Sequence, residues 1–282
     1  MRDGFLRCGG FALPLGRRTL IMGVLNVTPD SFSDGGAYAD CADAVEHGLM
    51  IAQAGADIID VGGESTRPGA EAVSAEQEVA RTVPVVSELA ARVGLPVSID
   101  TSKPAVARQA LSAGASMVND VTALGDPRMA DVVSGSGAAL CLMHMQGTPR
   151  TMQASPHYED VVEDIIAYLA QRVEVAVAAG VRRESIVIDP GIGFGKTVEH
   201  NLRIIKDAAE FGRLGLPVLM GPSRKSFIGK VLDLPVGDRL EGTLAAVTAL
   251  ALSGVDIVRV HDVREAVRAA RVADAVRRAP EV

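Results

Sequence analysis

The chain has 282 residues, and 28 Lys plus Arg against 35 Asp plus Glu leave a formal net charge of −7. A surface of that sign repels polyanions, and six Phe, three Tyr and no Trp give unpaired bases little to stack on, which excludes a general nucleic-acid binder. With 48% hydrophobic and 22% charged residues a disordered chain is excluded too, and Cys8, Cys41 and Cys141, odd in number and far apart, suit the reducing cytoplasm rather than a disulfide framework.

In chain order, residues 1–18 predict a short N-terminal β-hairpin turning at Gly9 and Gly10. Eight apolar runs follow, at residues 19–25, 56–61, 96–99, 115–118, 138–143, 185–188, 217–220 and 256–260. Most are continuous rather than alternating, as strands covered on both faces are. Helical segments lie between them, with Ser74 and Gln77 spaced as a capping box, Pro104 at a helix start, and Gly55 and Gly114 at helix ends. Eight β/α units across residues 19–278, with no break in composition, predict one α/β domain: a single (β/α)8 TIM barrel. A doubly wound open sheet is the alternative. The most apolar uncharged stretch, residues 242–255, is shorter than the roughly 18 residues a membrane span needs, and the longer one from Val132 is broken by Ser134, Gly135, Ser136, Gly137 and His144, so no membrane partner is expected.

Polar residues fall in register with the strands. Asn26, Asp60, Asp100, Asn119, His144, Asp189, Ser223, Arg259 and His261 all stand at or just past a predicted carboxyl end, the end at which such barrels gather their functional groups. Any one of them could simply cap the next helix, since Asn, Asp and Ser are the preferred caps. Nine together, two of them cationic candidates on the last strand, exceed what capping requires.

Four loops carry the rest. Residues 26–36 are dense in turn formers and oxygen donors, yet include Phe32, which a structural loop does not need. In residues 62–69 two glycines let the backbone approach a ligand, and Arg67 offers a planar fork for a carboxylate or phosphate. Residues 189–197 nearly spell a phosphate-binding P-loop, but Pro190 stands where glycine is needed and removes an N–H. Residues 221–229 place Arg224 and Lys225 after the seventh strand, where barrels of this type hold phosphates. An anionic pocket ligand follows from position and charge. No two histidines share a helical face with a carboxylate, which argues against zinc; magnesium takes oxygen ligands and arrives with phosphates. His47, His157 and His200 are expected at the surface or as caps, and His144 as a packed histidine.

Together these segments resemble the dihydropteroate synthase family, in the family's order: MGVLNVTPDSFSDGG at residues 22–36, DVGGESTRPG at 60–69, SIDT at 98–101, ND at 119–120, DPGIGFGK at 189–196, SRKS at 223–226 and RVH at 259–261. The resemblance implies an enzyme that condenses 6-hydroxymethyl-7,8-dihydropterin pyrophosphate with 4-aminobenzoate in folate synthesis, releasing pyrophosphate. By resemblance, Asp100, Asn119, Asp189 and Lys225 hold the pterin. Asn26, Thr66, Arg259 and His261 bind pyrophosphate with a magnesium ion liganded by Asn26. Phe32, Asp34, Thr66, Arg67, Pro68, Phe194 and Ser226 shape the aminobenzoate site. Asn26, Asp100, Lys225, Arg259 and His261 are the expected catalytic set. A pterin-binding methyltransferase of the same barrel type and a non-catalytic pterin-binding paralogue are the alternatives. A homodimer is expected as well, because Leu240, Leu244, Val247, Leu250, Ala251 and Leu252 cover more of one helix than a single core face uses.

Overall fold

The computed structural model describes residues 4–28, 36–65, 72–148 and 151–280. Strands β1 (Gly4–Cys8) and β2 (Phe11–Leu15) form an antiparallel hairpin, with Gly9 at a φ of +55° in its turn. Eight parallel strands follow: β3 (Leu20–Asn26), β4 (Ile58–Gly62), β5 (Val97–Asp100), β6 (Met117–Asp120), β7 (Ala139–Met143), β8 (Ile186–Asp189), β9 (Leu219–Met220) and β10 (Ile257–Val260). Each pairs with the next, β10 returns to β3, and a bridge from Ile188 to Val218 joins β8 to the β9 side, so the sheet closes into a barrel. The open-sheet alternative is thereby set aside.

Helices alternate with the strands: α1 (Gly36–Gln53), α2 (Ala75–Arg92), α3 (Pro104–Ser112), α4 (Arg128–Ser134), α5 (Val161–Ala178), α6 (Val198–Lys206), α7 (Ser226–Leu232), α8 (Leu240–Leu252) and α9 (Val263–Arg277). The capping box at α2 forms as expected, Gln77 N–H donating to Ser74 Oγ at 3.2 Å and Ser74 N–H to Gln77 Oε1 at 3.1 Å. Among the described residues no helix is long and apolar enough to cross a membrane.

Strand parity divides the core in two. Ile21, Leu25, Ile59, Val61, Ile99, Val118, Leu140 and Val258 face outward and pack under the helices. Residues of the other parity point into the barrel, where Leu20, Met22, Ile58, Met117, Cys141, Val187, Leu219 and Ile257 fill the lower half. The hairpin seals that half from below: Leu6 and Cys8 are fully buried among the same residues. Each large side chain so buried contributes about 1.5–3 kcal/mol. Toward the carboxyl end the same parity runs on into polar residues, Asp60, Ser98, Asp100, Asn119, Asp189 and Arg259. The barrel is thus an oil-filled cup under a polar floor.

The wide apolar stripe of α8 is used largely within the subunit. Val247, Leu250 and Ala251 are buried and Leu240 and Leu244 half-buried, while Leu252 remains 43% exposed.

Candidate active site

The polar floor is built around Arg259 on β10. Its Nε donates to Asp60 Oδ2 at 2.6 Å and its Nη2 to Asp100 Oδ2 at 2.8 Å, so two strands across the barrel fix the guanidinium plane. Asn119 Nδ2 also donates to Asp60 Oδ2, at 3.1 Å. These groups are buried or nearly so, yet Asp60 Oδ1, Asp100 Oδ1 and Asn119 Oδ1 have no hydrogen-bond partner among the described residues. A buried acceptor without a donor costs about 1–3 kcal/mol, and three on neighbouring strands at one end of the barrel suit a ligand that brings N–H donors.

Asp189, at the end of β8, adds a fourth acceptor. Its Oδ1 accepts the Gly191 N–H at 2.7 Å, and burial pushes its carboxyl up to about 6. Burial also raises Asp100, against the pull of Arg259 and with the push of the neighbouring Asp60 charge. Lys225, from the loop after β9, lies over the Phe194 ring with Nζ 3.9 Å from its centre. Burial and the nearby Arg259 charge hold that amine down to about 8, and Asp189 and Asp100 oppose the shift. Phe194 packs with Val121, Met143 and Met152 in a small apolar cluster at the mouth of the barrel.

His261 follows β10. Its backbone N–H donates to Ser223 Oγ at 3.2 Å, so the hydroxyl proton is free to go to His261 Nδ1, 3.0 Å away. That leaves Nε2 carrying the ring proton. Burial, then Arg259 and Arg224, push the ring down to about 3, which keeps it a neutral donor in an electropositive surround. Arg224 is turned away into a two-point pair with Asp262, at 3.1 and 2.6 Å. Asn26 ends β3 opposite Gly62. A Cβ on Gly62 would lie 3.8 Å from both Asn26 Oδ1 and Asp100 Oδ2, so both oxygens border this glycine. This fits a magnesium ion, which needs few protein oxygens because it keeps waters and phosphate oxygens.

Of the residues expected from sequence, Asn26, Asp100, Asn119, Asp189, Phe194, Lys225, Arg259 and His261 line the carboxyl end of the barrel. Ser226 opens α7 beside Lys225 and is exposed. Phe32, Asp34, Thr66, Arg67 and Pro68 lie outside the described residues. The start of the loop that carries the last three is held at Glu64, which accepts Val73 N–H at 3.0 Å and Lys103 Nζ at 2.6 Å. Sequence reasoning put Asp60 at a strand end without a role; its parity with Gly62 and Asp100 was the available signal. The P-loop likeness of residues 189–197 does not extend to geometry, because Lys196 is buried inside its own turn. His200 caps α6 through Thr197, and His144 is packed between Tyr158 and Tyr168.

Comparison with known proteins gives a consistent picture. The family model described as "Pterin binding enzyme" matches residues 22–261. A dihydropteroate synthase of Escherichia coli is 47% identical over 261 residues, 93% of each chain. Among solved structures, a Yersinia pestis dihydropteroate synthase in a sulfonamide drug complex superposes with a TM-score of 0.92 at 44% identity, covering 98% of this chain and 100% of that one. A Xanthomonas albilineans dihydropteroate synthase in complex with 7,8-dihydropteroate gives 0.88 at 42% identity, over 98% and 100%.

Proposed function

The chain belongs to the dihydropteroate synthase family of pterin binding enzymes, and from that premise we propose how its barrel works as a transferase of folate biosynthesis. It condenses 6-hydroxymethyl-7,8-dihydropterin pyrophosphate with 4-aminobenzoate, giving 7,8-dihydropteroate and pyrophosphate. The observation that carries this reading is the set of partnerless buried acceptors, Asp60 Oδ1, Asp100 Oδ1 and Asn119 Oδ1, lying beneath a cationic rim.

A pterin edge presents amine and ring N–H donors. Asp100, Asn119 and Asp189 accept them, and Lys225 donates to the ring oxygen. The pyrophosphate then lies toward Arg259, the Nε2–H of His261, Asn26 and Thr66. Asn26 is the residue that would hold magnesium, which neutralises charge on the departing oxygens when bound. Phe194 and Ser226, with Phe32, Asp34, Thr66, Arg67 and Pro68, shape the aminobenzoate site. In the reaction the amine lone pair forms the new C–N bond and the C–O bond breaks. Its electron pair leaves with pyrophosphate, and the extra proton on nitrogen is lost to solvent. An arylamine is already neutral at pH 7, so no general base is required. The pocket's contribution is orientation together with cations placed where negative charge develops.

The enzyme acts as a homodimer in the cytoplasm in this reading. Exposed Val231, Leu232, Val236 and Leu252 near α7 and α8 support the first, and three cysteines without a disulfide support the second. Mixing both substrates with enzyme and measuring pyrophosphate release tests the reaction. Release only when the arylamine is present is expected; a methyltransferase or a binding paralogue gives none.

A further inference from the structure

Lys196 is buried to 3% exposure, and among the described residues no carboxylate is in contact with it. A buried ammonium usually has an acid partner, because desolvation is costly otherwise. Here Nζ donates instead to the Phe194 carbonyl at 2.8 Å, lies 3.1 Å from His144 Nδ1 and 3.5 Å from the His144 carbonyl, and sits 6.0 Å from the centre of the Tyr158 ring. His144 is neutral, pushed down to about 3 by burial and by Lys196 itself, so its Nδ1 can accept. The amine therefore ties the end of β7 to the turn after β8.

Within that turn Phe194 N–H donates to the Gly191 carbonyl at 3.1 Å and Gly191 N–H to Asp189 Oδ1 at 2.7 Å. Gly191, Gly193 and Gly195 all adopt left-handed backbone, with φ of +73°, +84° and +62°, and three such residues in one turn rule out a regular hydrogen-bond ladder. Its polar groups are tied individually: Gly193 N–H to Asn201 Oδ1 at 2.7 Å, Gly193 carbonyl to Gln153 Nε2 at 2.8 Å, and Gly195 carbonyl to Tyr158 Oη at 2.8 Å. The Phe194 carbonyl is tied in the same way, by Lys196. On the other side of the same residue the Phe194 ring supports the Lys225 amine at 3.9 Å.

We propose that Lys196 is a positioning residue for the arylamine site: by fixing the Phe194 carbonyl it holds the Phe194 ring under Lys225, and so sets the wall against which the aminobenzoate ring stacks. The proposal rests on the reading of Phe194 as part of that site. Pterin is held mainly by Asp100, Asn119 and Asp189, which Lys196 does not touch, so with Lys225 as the one shared group the pterin affinity changes much less than the arylamine KM.

The test is Lys196→Met, which keeps the apolar stem and removes the donor. The KM for 4-aminobenzoate should rise tenfold or more, with kcat changed less than threefold and pterin affinity by calorimetry within twofold of wild type. In a Phe194→Leu background the same substitution should move that KM less than twofold, because the ring it positions is gone. An unchanged KM overturns the proposal. So does an equal rise in the Phe194→Leu background, or a parallel loss of pterin affinity. If Lys196→Met does not fold, Lys196→Gln is read instead: its shorter amide cannot span Phe194 and His144, and a KM raised threefold or more is expected, an unchanged one being fatal. A wild-type enzyme that does not consume 4-aminobenzoate at all defeats the functional reading rather than this one.

Discussion

Replacing Asp189 by Asn separates ligand recognition from folding. The carboxylate is 6% exposed, and one of its oxygens is committed to the Gly191 N–H at 2.7 Å. An asparagine oxygen keeps that bond, so the turn after β8 is retained. The other oxygen, proposed above to accept from the pterin, becomes an NH2 group facing donors. Hydrogen bonds to charged groups are worth about 1.5–3 kcal/mol, and at 1.4 kcal/mol per tenfold the loss of affinity is about ten- to 150-fold. Protonation gives an independent check. Burial raises Asp189 to about 6, above the unfolded carboxylate value near 3.9. Folding then favours the protonated form, so the stability this group contributes is present below about pH 4 and is lost as pH rises through about 6. Asp189→Asn should therefore be no less stable than wild type at pH 7. Wild-type pterin affinity should fall as pH drops below about 6, whereas the variant should lack that component. Calorimetric titration of a pterin between pH 5 and 8, alongside thermal melts, measures both. Wild-type affinity in a folded variant would make Asp189 a turn cap and nothing more.

Arg259→Met leaves Asp60 and Asp100 buried together without their cation, and urea denaturation at pH 7 should show a loss of about 3–5 kcal/mol; a loss under 1 kcal/mol would mean that water already reaches the pair. Leu6→Ala, which opens a void under the barrel, should cost about 2–5 kcal/mol by denaturant titration while leaving the KM values of the folded enzyme unchanged, since the site is at the opposite end. Chelation with EDTA should weaken binding of pyrophosphate together with pterin but leave 6-hydroxymethylpterin alone unaffected, and equal titrations with and without chelator would remove magnesium from the site.

Strand parity explains which parts could be read from sequence. All eight strands lie within two residues of the apolar runs, but half end one residue later, as at Asn26, Asp100 and Asp189. Hydropathy stops at the first polar side chain, whereas pairing is made by the backbone and continues while that side chain points into the barrel. Asp60 stood among the polar strand ends but without a role, because only the cross-strand alignment with Ser98 places it on the floor. Lys196 was misleading for a different reason. Glycine spacing shows that a turn is tight, but not whether the following amine points out to an anion or back into the turn. The stripe on α8 looked too wide for one core because sequence periodicity does not count the neighbours: α7 and α9 both pack against it.

The hairpin also has a kinetic consequence. Leu6 and Cys8 are made first, yet the residues they pack among, Met117, Cys141, Val187, Leu219 and Ile257, come from strands spread over nearly the whole chain. Docking between such distant segments repays its loop-closure entropy only once most of the barrel exists. The hairpin is thus expected to settle late in folding and to be among the first parts to come away. Strengthening its contacts would then slow unfolding while leaving the folding rate almost untouched, which makes residues 4–15 a control on how long the native enzyme lasts rather than on how fast it forms.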